Sequence, residues 1–237
     1  GTTMDRAYLC NRHNEIVHGK TNNFTMFGSI TLNKVVGGIN PKAVDVALRL
    51  GAKVVWLPTQ SAKNHMQKMN QDLSQSVEVV KDGKIVPELR SVLELIRDHN
   101  AVLGTAHIAP EEIFTVVEAA RDMGVKNIVV THPEWWIVGM SHEDQLRLVK
   151  DYDVILERCY AQNMGGGKYK SNLADNLELI KEVGYKNVMV DGGQTENPHW
   201  ELALAEYMQY LVDHGIPEEH VYHMTHTIPA KLLGIEE

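Results

Sequence analysis

Val102-Leu103-Gly104-Thr105-Ala106-His107, Ile128-Val129-Val130-Thr131-His132-Pro133, Val154-Ile155-Leu156-Glu157 and Val188-Met189-Val190-Asp191-Gly192-Gly193 repeat one pattern between Ala101 and Gly193. In each, a short run of β-branched or aliphatic residues ends on a side chain that can ligate a metal or move a proton. Runs of this length and composition read as strands buried on both faces, as in parallel sheets. The polar ends are evenly spaced: 25 residues separate His107 from His132, another 25 lead to Glu157, and 34 more lead to Asp191. A strand, a helix and two loops occupy about that length, and a right-handed crossover sets each new strand beside the last in the same direction. The four polar ends therefore fall on one rim of one sheet, the carboxyl rim, where parallel α/β folds carry out their chemistry.

The chain has 237 residues, 43% of them hydrophobic, enough for a full core, and α/β barrels of this size commonly form one domain, so one domain over 1–237 is expected. A net charge of −8 supplies no basic footprint, which argues against nucleic acid or an anionic membrane and for a small-molecule substrate. Two cysteines, Cys10 and Cys159, are too few for a disulfide framework and read as reduced. No run approaches the roughly 18 apolar residues of a membrane span, and no signal-peptide hydrophobic region opens the chain. A cytoplasmic location is expected.

Upstream, Thr3 reads as the cap of a helix that fades between Glu15 and Gly19. Phe24–Leu32 alternates as a strand. Pro41 opens a helix with Val44, Ala47 and Leu48 on its apolar face, and Val54–Pro58 is the next buried strand. Thr59–Asn70, carrying His65, reads as a long loop on the catalytic rim. Asp82-Gly83 between alternating apolar residues predicts a β-hairpin, an insertion over about 76–87. Helices follow at Ser91–His99, Glu111–Met123, Ser141–Lys150, Asn172–Val183 and Glu201–His214, with a last one after Pro217. Six core strands result, where a closed parallel barrel has eight.

Several segments together resemble the amidohydrolase superfamily of metal-dependent hydrolases, and within it a poorly characterised family. They are Val35-Val36-Gly37-Gly38-Ile39-Asn40-Pro41, Val54-Val55-Trp56-Leu57-Pro58-Thr59, Asp82-Gly83-Lys84 with Pro87-Glu88-Leu89, Gly104-Thr105-Ala106-His107 with Glu111-Glu112, Thr131-His132-Pro133-Glu134, Asp191-Gly192-Gly193-Gln194 with Asn197-Pro198, and Pro229-Ala230-Lys231-Leu232-Leu233-Gly234. The resemblance implies an α/β fold, a (β/α)8 TIM-like barrel with one or two divalent metals at its carboxyl rim. It places His107, His132 and Asp191 as metal ligands after strands five, six and eight. The superfamily's His-x-His pair is missing from this sequence; by the family pattern it belongs on a strand before Gly1, so the first two strand–helix units are expected outside the sequence given. Thr59-Gln60 stands where two-metal members carry a bridging Lys or Glu, which points to one metal, zinc first and manganese, iron or nickel next. A homo-oligomer is expected on the same ground.

Taken alone, a histidine is more often structural than a ligand. Two histidines and an aspartate at successive strand ends change that balance, because convergent nitrogen and oxygen donors suit a catalytic ion. Pro133 is expected to hold His132 extended at its strand end. Asp191 is expected to ligate and to accept a proton from activated water, against a plain cap for the next helix after a Gly192-Gly193 turn. Glu157 is a candidate further ligand, substrate anchor or general acid/base, against a plain salt bridge to Arg158 or to another rim residue. Trp135, with Trp136, is expected to wall the pocket or to pack under a loop, Gln194 to meet substrate, and Lys168 or Lys170, in a loop whose Gly165-Gly166-Gly167-Lys168 lacks the Ser or Thr of a phosphate loop, to meet a substrate anion, against a plain exposed loop. His220, His223 and His226, three residues apart, could form a second metal site. The expected activity is metal-dependent hydrolysis of a C–N bond in an amide or cyclic amide, with lactone or phosphoester hydrolysis and decarboxylation as alternatives. A degenerate barrel that only binds is the non-catalytic rival.

Overall fold

The structure, a computed structural model, describes residues 2–19, 24–160, 172–192 and 197–235. Helix α1 (Met4–His18) comes first, then strands β1 (Ser29–Thr31) and β2 (Val54–Trp56) with α2 (Pro41–Arg49) between them. A short helix α3 (Lys63–Lys68) and a hairpin of β3 (Val80–Lys81) and β4 (Lys84–Ile85) precede α4 (Pro87–Asp98). Strands β5 (Val102–Gly104), β6 (Asn127–Thr131), β7 (Ile155–Cys159) and β8 (Val188–Asp191) then alternate with helices α5 (Pro110–Asp122), α6 (His142–Tyr152) and α7 (Leu173–Val183). The chain ends in α8 (Trp200–Asp213), α9 (Glu218–Tyr222), a π-helical turn over His223–Thr227 and α10 (Ile228–Leu233).

Six strands form one parallel sheet in the order β1-β2-β5-β6-β7-β8, which is also chain order; the hairpin stands apart. These are six consecutive strand–helix units of a TIM-like barrel, as expected. Among the described residues β1 and β8 do not pair with each other. Side chains alternate with a period of two, so Ile30, Val55, Leu103, Val130, Leu156 and Val188 share the face that is buried beneath the helices. The opposite, interior face is fully buried along most of β5, β6 and β7 but only partly covered on β1, β2 and β8.

Local sequence explains the helix starts. Pro41, Pro87 and Pro110 occupy first turns, Asn40 accepts the Ala43 N–H, and Ser141 accepts the Asp144 N–H. Interior Gly104 is where Trp56, its register partner on β2, lays its ring; a Cβ there would overlap the indole. Four readings change. The first strand is only Ser29–Thr31, because Asn11 brackets the Met26 backbone, donating to its carbonyl at 2.8 Å and accepting its N–H at 2.7 Å. The first helix is capped through the Thr2 hydroxyl, which accepts the Met4 N–H, with no cap bond from Thr3. The stretch expected as a loop around His65 contains α3. His220 and His223 pack on Tyr185 and His226 on Tyr222, so these imidazoles serve as aromatic surfaces. None of the described helices is long and apolar enough to cross a membrane.

Gly104→Ala is expected to lower stability by about 1–3 kcal/mol through overpacking. Adding Trp56→Leu should recover part of the loss in thermal unfolding. An unchanged melting temperature in Gly104→Ala would refute the Trp56 packing.

Candidate active site

The rim is built where strands stop. Strand β5 leaves the ladder through Thr105, and the Thr105 and Thr131 hydroxyls replace ladder partners: Thr131 Oγ1 accepts the Ala106 N–H at 3.2 Å and Thr105 Oγ1 accepts the Thr131 N–H at 3.1 Å. Immediately beyond, Ala106 has φ +54° and His132 has φ +27°. Non-glycine residues in this region cost about 1–3 kcal/mol each and persist only where the surroundings enforce them. His132 does sit at its strand's end, but not extended as Pro133 suggested; its backbone turns left-handed and re-aims the ring.

Helix α3 braces this turn from above. Asn33, after β1, accepts from the Thr59 and Ser61 N–H groups and donates to the Thr59 hydroxyl, which fixes the entry to α3. Asn64 then donates to the His107 carbonyl at 3.2 Å and the Ile137 carbonyl at 2.8 Å. The next residue, His65, meets His107 Nδ1 to Nδ1 at 2.8 Å, the two rings stacked. The His107 and His132 ring centroids are 5.2 Å apart, and Trp135 stands edge-on to both at 4.7 and 5.3 Å. Trp135 thus walls the histidine pair.

Strands β7 and β8 supply the acids. Glu157 aligns with Thr131 and Met189, and Cys159 with Asp191, so Glu157, Cys159 and Asp191 all point to the interior. The Cys159 sulfur lies 3.8 Å from His132 Nδ1, and Asp191 is its register neighbour on β8. Asp191 Oδ1 is buried without a hydrogen-bond partner.

Arg158, between Glu157 and Cys159, points the other way and is fully buried. It does not pair with Glu157. Its guanidinium donates to Gln145 Oε1 (2.9 Å), Asn176 Oδ1 (2.8 Å) and the Asp175 carboxylate, and lies 3.7 Å from Glu134 Oε2. Glu134 Oε1 accepts the Cys159 N–H at 2.9 Å, and Asn176 Nδ2 donates to the Cys159 carbonyl at 3.1 Å. The peptide groups flanking Cys159 are therefore held from both sides.

Burial sets the charge states. It pushes His132 down to about 4 and, with the neighbouring charges of His132 and His65, His107 down to about 2; His65 is lowered by burial as well. All three imidazoles are neutral at pH 7, the form that ligates metals. Burial raises Asp191, and raises Glu157 further with the help of the Asp191 and Glu134 charges. Burial also raises Glu134, against the pull of Arg158, and the Cys159 thiol, where Asp191 adds to it.

His107, His132, Trp135, Glu157 and Asp191 thus meet on one rim, while Lys168 and Gln194 lie outside the described residues. Cys159 stands between His132 and Asp191, and among the described residues no group of three or more His, Cys, Asp or Glu is already arranged to hold an ion. Sequence reading noted His65 only as a loop residue and Cys159 only as a reduced thiol. The period of two, extended from Glu157, would have placed Cys159 on the same face, and Arg158 on the helix side, where a charge needs partners.

Arg158→Met is expected to cost about 3–5 kcal/mol, because it strands the buried Glu134 carboxylate without a counter-ion and leaves Gln145 and Asn176 unpaired. Arg158→Lys should cost less, keeping the charge but losing the fork. Chemical denaturation midpoints at constant m-value check both, and equal midpoints for wild type and Arg158→Met would refute the network.

A model for a family of unknown function (DUF6282) matches residues 1–157. No curated protein sequence matches the chain significantly. Among solved structures, a proposed 2-pyrone-4,6-dicarboxylic acid hydrolase from Pseudomonas putida is 17% identical with a TM-score of 0.61, over 94% of this chain and 78% of that one. An amidohydrolase from Pseudomonas aeruginosa is 14% identical at 0.58, over 81% and 67%. The 2,6-dihydroxybenzoate decarboxylase from Rhizobium is 10% identical at 0.54, over 98% and 78%. These neighbours are amidohydrolase-superfamily members, and the likeness is one of fold.

Proposed function

The chain belongs to the DUF6282 family of unknown function, and from that position on an amidohydrolase-type barrel we propose that it is a metal-dependent hydrolase of a small molecule, the C–N bond of an amide or cyclic amide being the favoured target. One observation carries the reading. Two neutral imidazoles, His107 and His132, stand side by side at neighbouring strand ends, and Asp191 on the same rim keeps a buried Oδ1 with no hydrogen-bond partner. Such an orphan costs about 1–3 kcal/mol, a cost that a cation would remove. Imidazole nitrogen and carboxylate oxygen are the donors of catalytic zinc, manganese, iron and nickel sites.

A divalent ion held by His107, His132 and Asp191 would polarise the substrate's carbonyl and make a water acidic enough to attack near neutral pH. Asp191 would hold the ion and accept a proton from water at the rim. Glu157 lies on the same interior face and is the second proton carrier, returning a proton to the leaving amine. Trp135 shields the histidines from bulk water. His65 holds the His107 ring through its Nδ1. Lys168 and Gln194 are proposed to contact substrate. Lactones and phosphoesters present the same polarised centre and are the next targets. A decarboxylase is the second reading, favoured by Glu157 and Asp191 on one interior face, where burial raises both carboxyls and makes them better proton donors to a carbanion.

Purified full-length protein is expected to hold about one divalent ion per chain and to turn over a member of an amide, lactone and phosphoester panel. His132→Ala and Asp191→Ala should each lower turnover by orders of magnitude and reduce metal content. Unchanged turnover in either variant would overturn the catalytic assignment. A folded wild type that takes up no metal would leave a barrel that only binds.

A further inference from the structure

We propose that the amino pole of the sheet, opposite the catalytic rim, carries a binding site for a phosphate group, free or at the end of a small ester, held by Lys126, Lys186 and Lys231. The site is independent of the metal-dependent reading above.

A cavity of about 280 Å³ lies where β6, β7 and β8 begin. Lys126 immediately precedes β6, Lys186 comes just before β8, and Lys231 belongs to α10; all three line the cavity and are exposed. Neighbouring strands stand about 4.8 Å apart, so the starts of β6 and β8, two steps apart, are separated by about 10 Å, a gap that lysines can close on from both sides. Thr227, from the π-helical turn, adds a hydroxyl to the lining, and such turns occur frequently at functional sites. Among the described residues none of the three lysines forms an ion pair. The carboxylate on the lining, Asp153, accepts the Asn187 Nδ2 at 2.8 Å. Three cations against one acid is a local reversal in a chain whose net charge is −8.

Helices end at this pole, and basic side chains near a helix end commonly satisfy its last carbonyls. Here Arg121 does that work: it donates to the Val125 (2.8 Å), Lys126 (2.7 Å), Tyr152 (2.7 Å) and Asp153 (2.8 Å) carbonyls. The lysines are left over, and like charges gathered around one cavity repel each other until an anion joins them. A phosphate group carries about −1.5 to −2 near neutral pH and three acceptor oxygens, one for each ammonium, and lysine binds it as a point charge. The volume falls at the lower end of small-molecule sites, roughly 300–1,000 Å³, which suits phosphate or a small monoester. Bound there, the anion would tie α10 to the starts of β6 and β8 and so stabilise the fold.

The test titrates full-length protein with inorganic phosphate and with glycerol 3-phosphate, at ionic strength held constant with sodium chloride. The melting temperature should rise by about 5–10 °C at a concentration of about 100 times Kd, and the tighter of the two probes identifies free phosphate or an ester as the ligand. Lys126→Ser/Lys186→Ser/Lys231→Ser, at three exposed positions, should lose the shift. Wild type gives a second readout that needs no substitution: the bound anion should slow acetylation of these three lysines, read by peptide mass spectrometry, but not of the exposed Lys42 and Lys181. An equal shift in the triple variant, which would place the anion elsewhere on the protein, overturns the proposal. So does unchanged acetylation of the three lysines at saturating phosphate and glycerol 3-phosphate.

Discussion

A guanidinium with no solvent contact must find all its partners within the protein, and Arg158 finds them on three separate elements. Gln145 comes from α6, Asp175 and Asn176 from α7, and Glu134 from the loop after β6. Removing any of them leaves a buried charge or dipole uncompensated, so the positions of α6 and α7 on the sheet are coupled to one side chain of β7. The same partners reach back to the rim. Glu134 and Asn176 each spend one arm on Arg158 and the other on the backbone of Cys159. Ordinary ladder bonds would fix that backbone only along the sheet; this network fixes the end of β7, and with it the aim of Cys159.

The other half of the rim is held by backbone geometry. Ala106 and His132 occupy left-handed conformations that non-glycine residues avoid, and both lie one step past a buried threonine whose hydroxyl closes the ladder. Helix α3 adds a brace, since Asn64 ties the His107 carbonyl to Ile137 while His65 engages the His107 ring. The two halves meet at His132 and Cys159. A rim made rigid on both sides, yet carrying at Asp191 a buried carboxylate oxygen with no hydrogen-bond partner, has a polar group aimed at something other than its neighbours.

Much of this was legible in the chain because parallel strands buried on both faces cannot hide their composition. Six aliphatic runs, their spacing and their polar ends gave the sheet order, the rim, and the grouping of His107, His132, Glu157 and Asp191. The hairpin at Asp82-Gly83 was equally readable, because its turn chemistry is local. Less was legible where tertiary contacts override local preference. Phe24–Met26 alternates like a strand but is captured by Asn11, and the polar stretch after Pro58 coils into α3 once Asn33 fixes its start.

The sequence by itself determined the elements, their order and the strand ends on which the chemistry-bearing residues fall, since hydrophobic periodicity and crossover length are properties of the chain. Only the tertiary structure decided which of those residues touch. That His65 reaches His107, that Arg158 turns from Glu157 toward Asp175, and that Cys159 stands between His132 and Asp191 depend on strand register and on two positive φ angles. A one-residue shift in register would exchange Arg158 for Cys159 at the rim, and that register is set by packing across the whole sheet and not by any segment read alone.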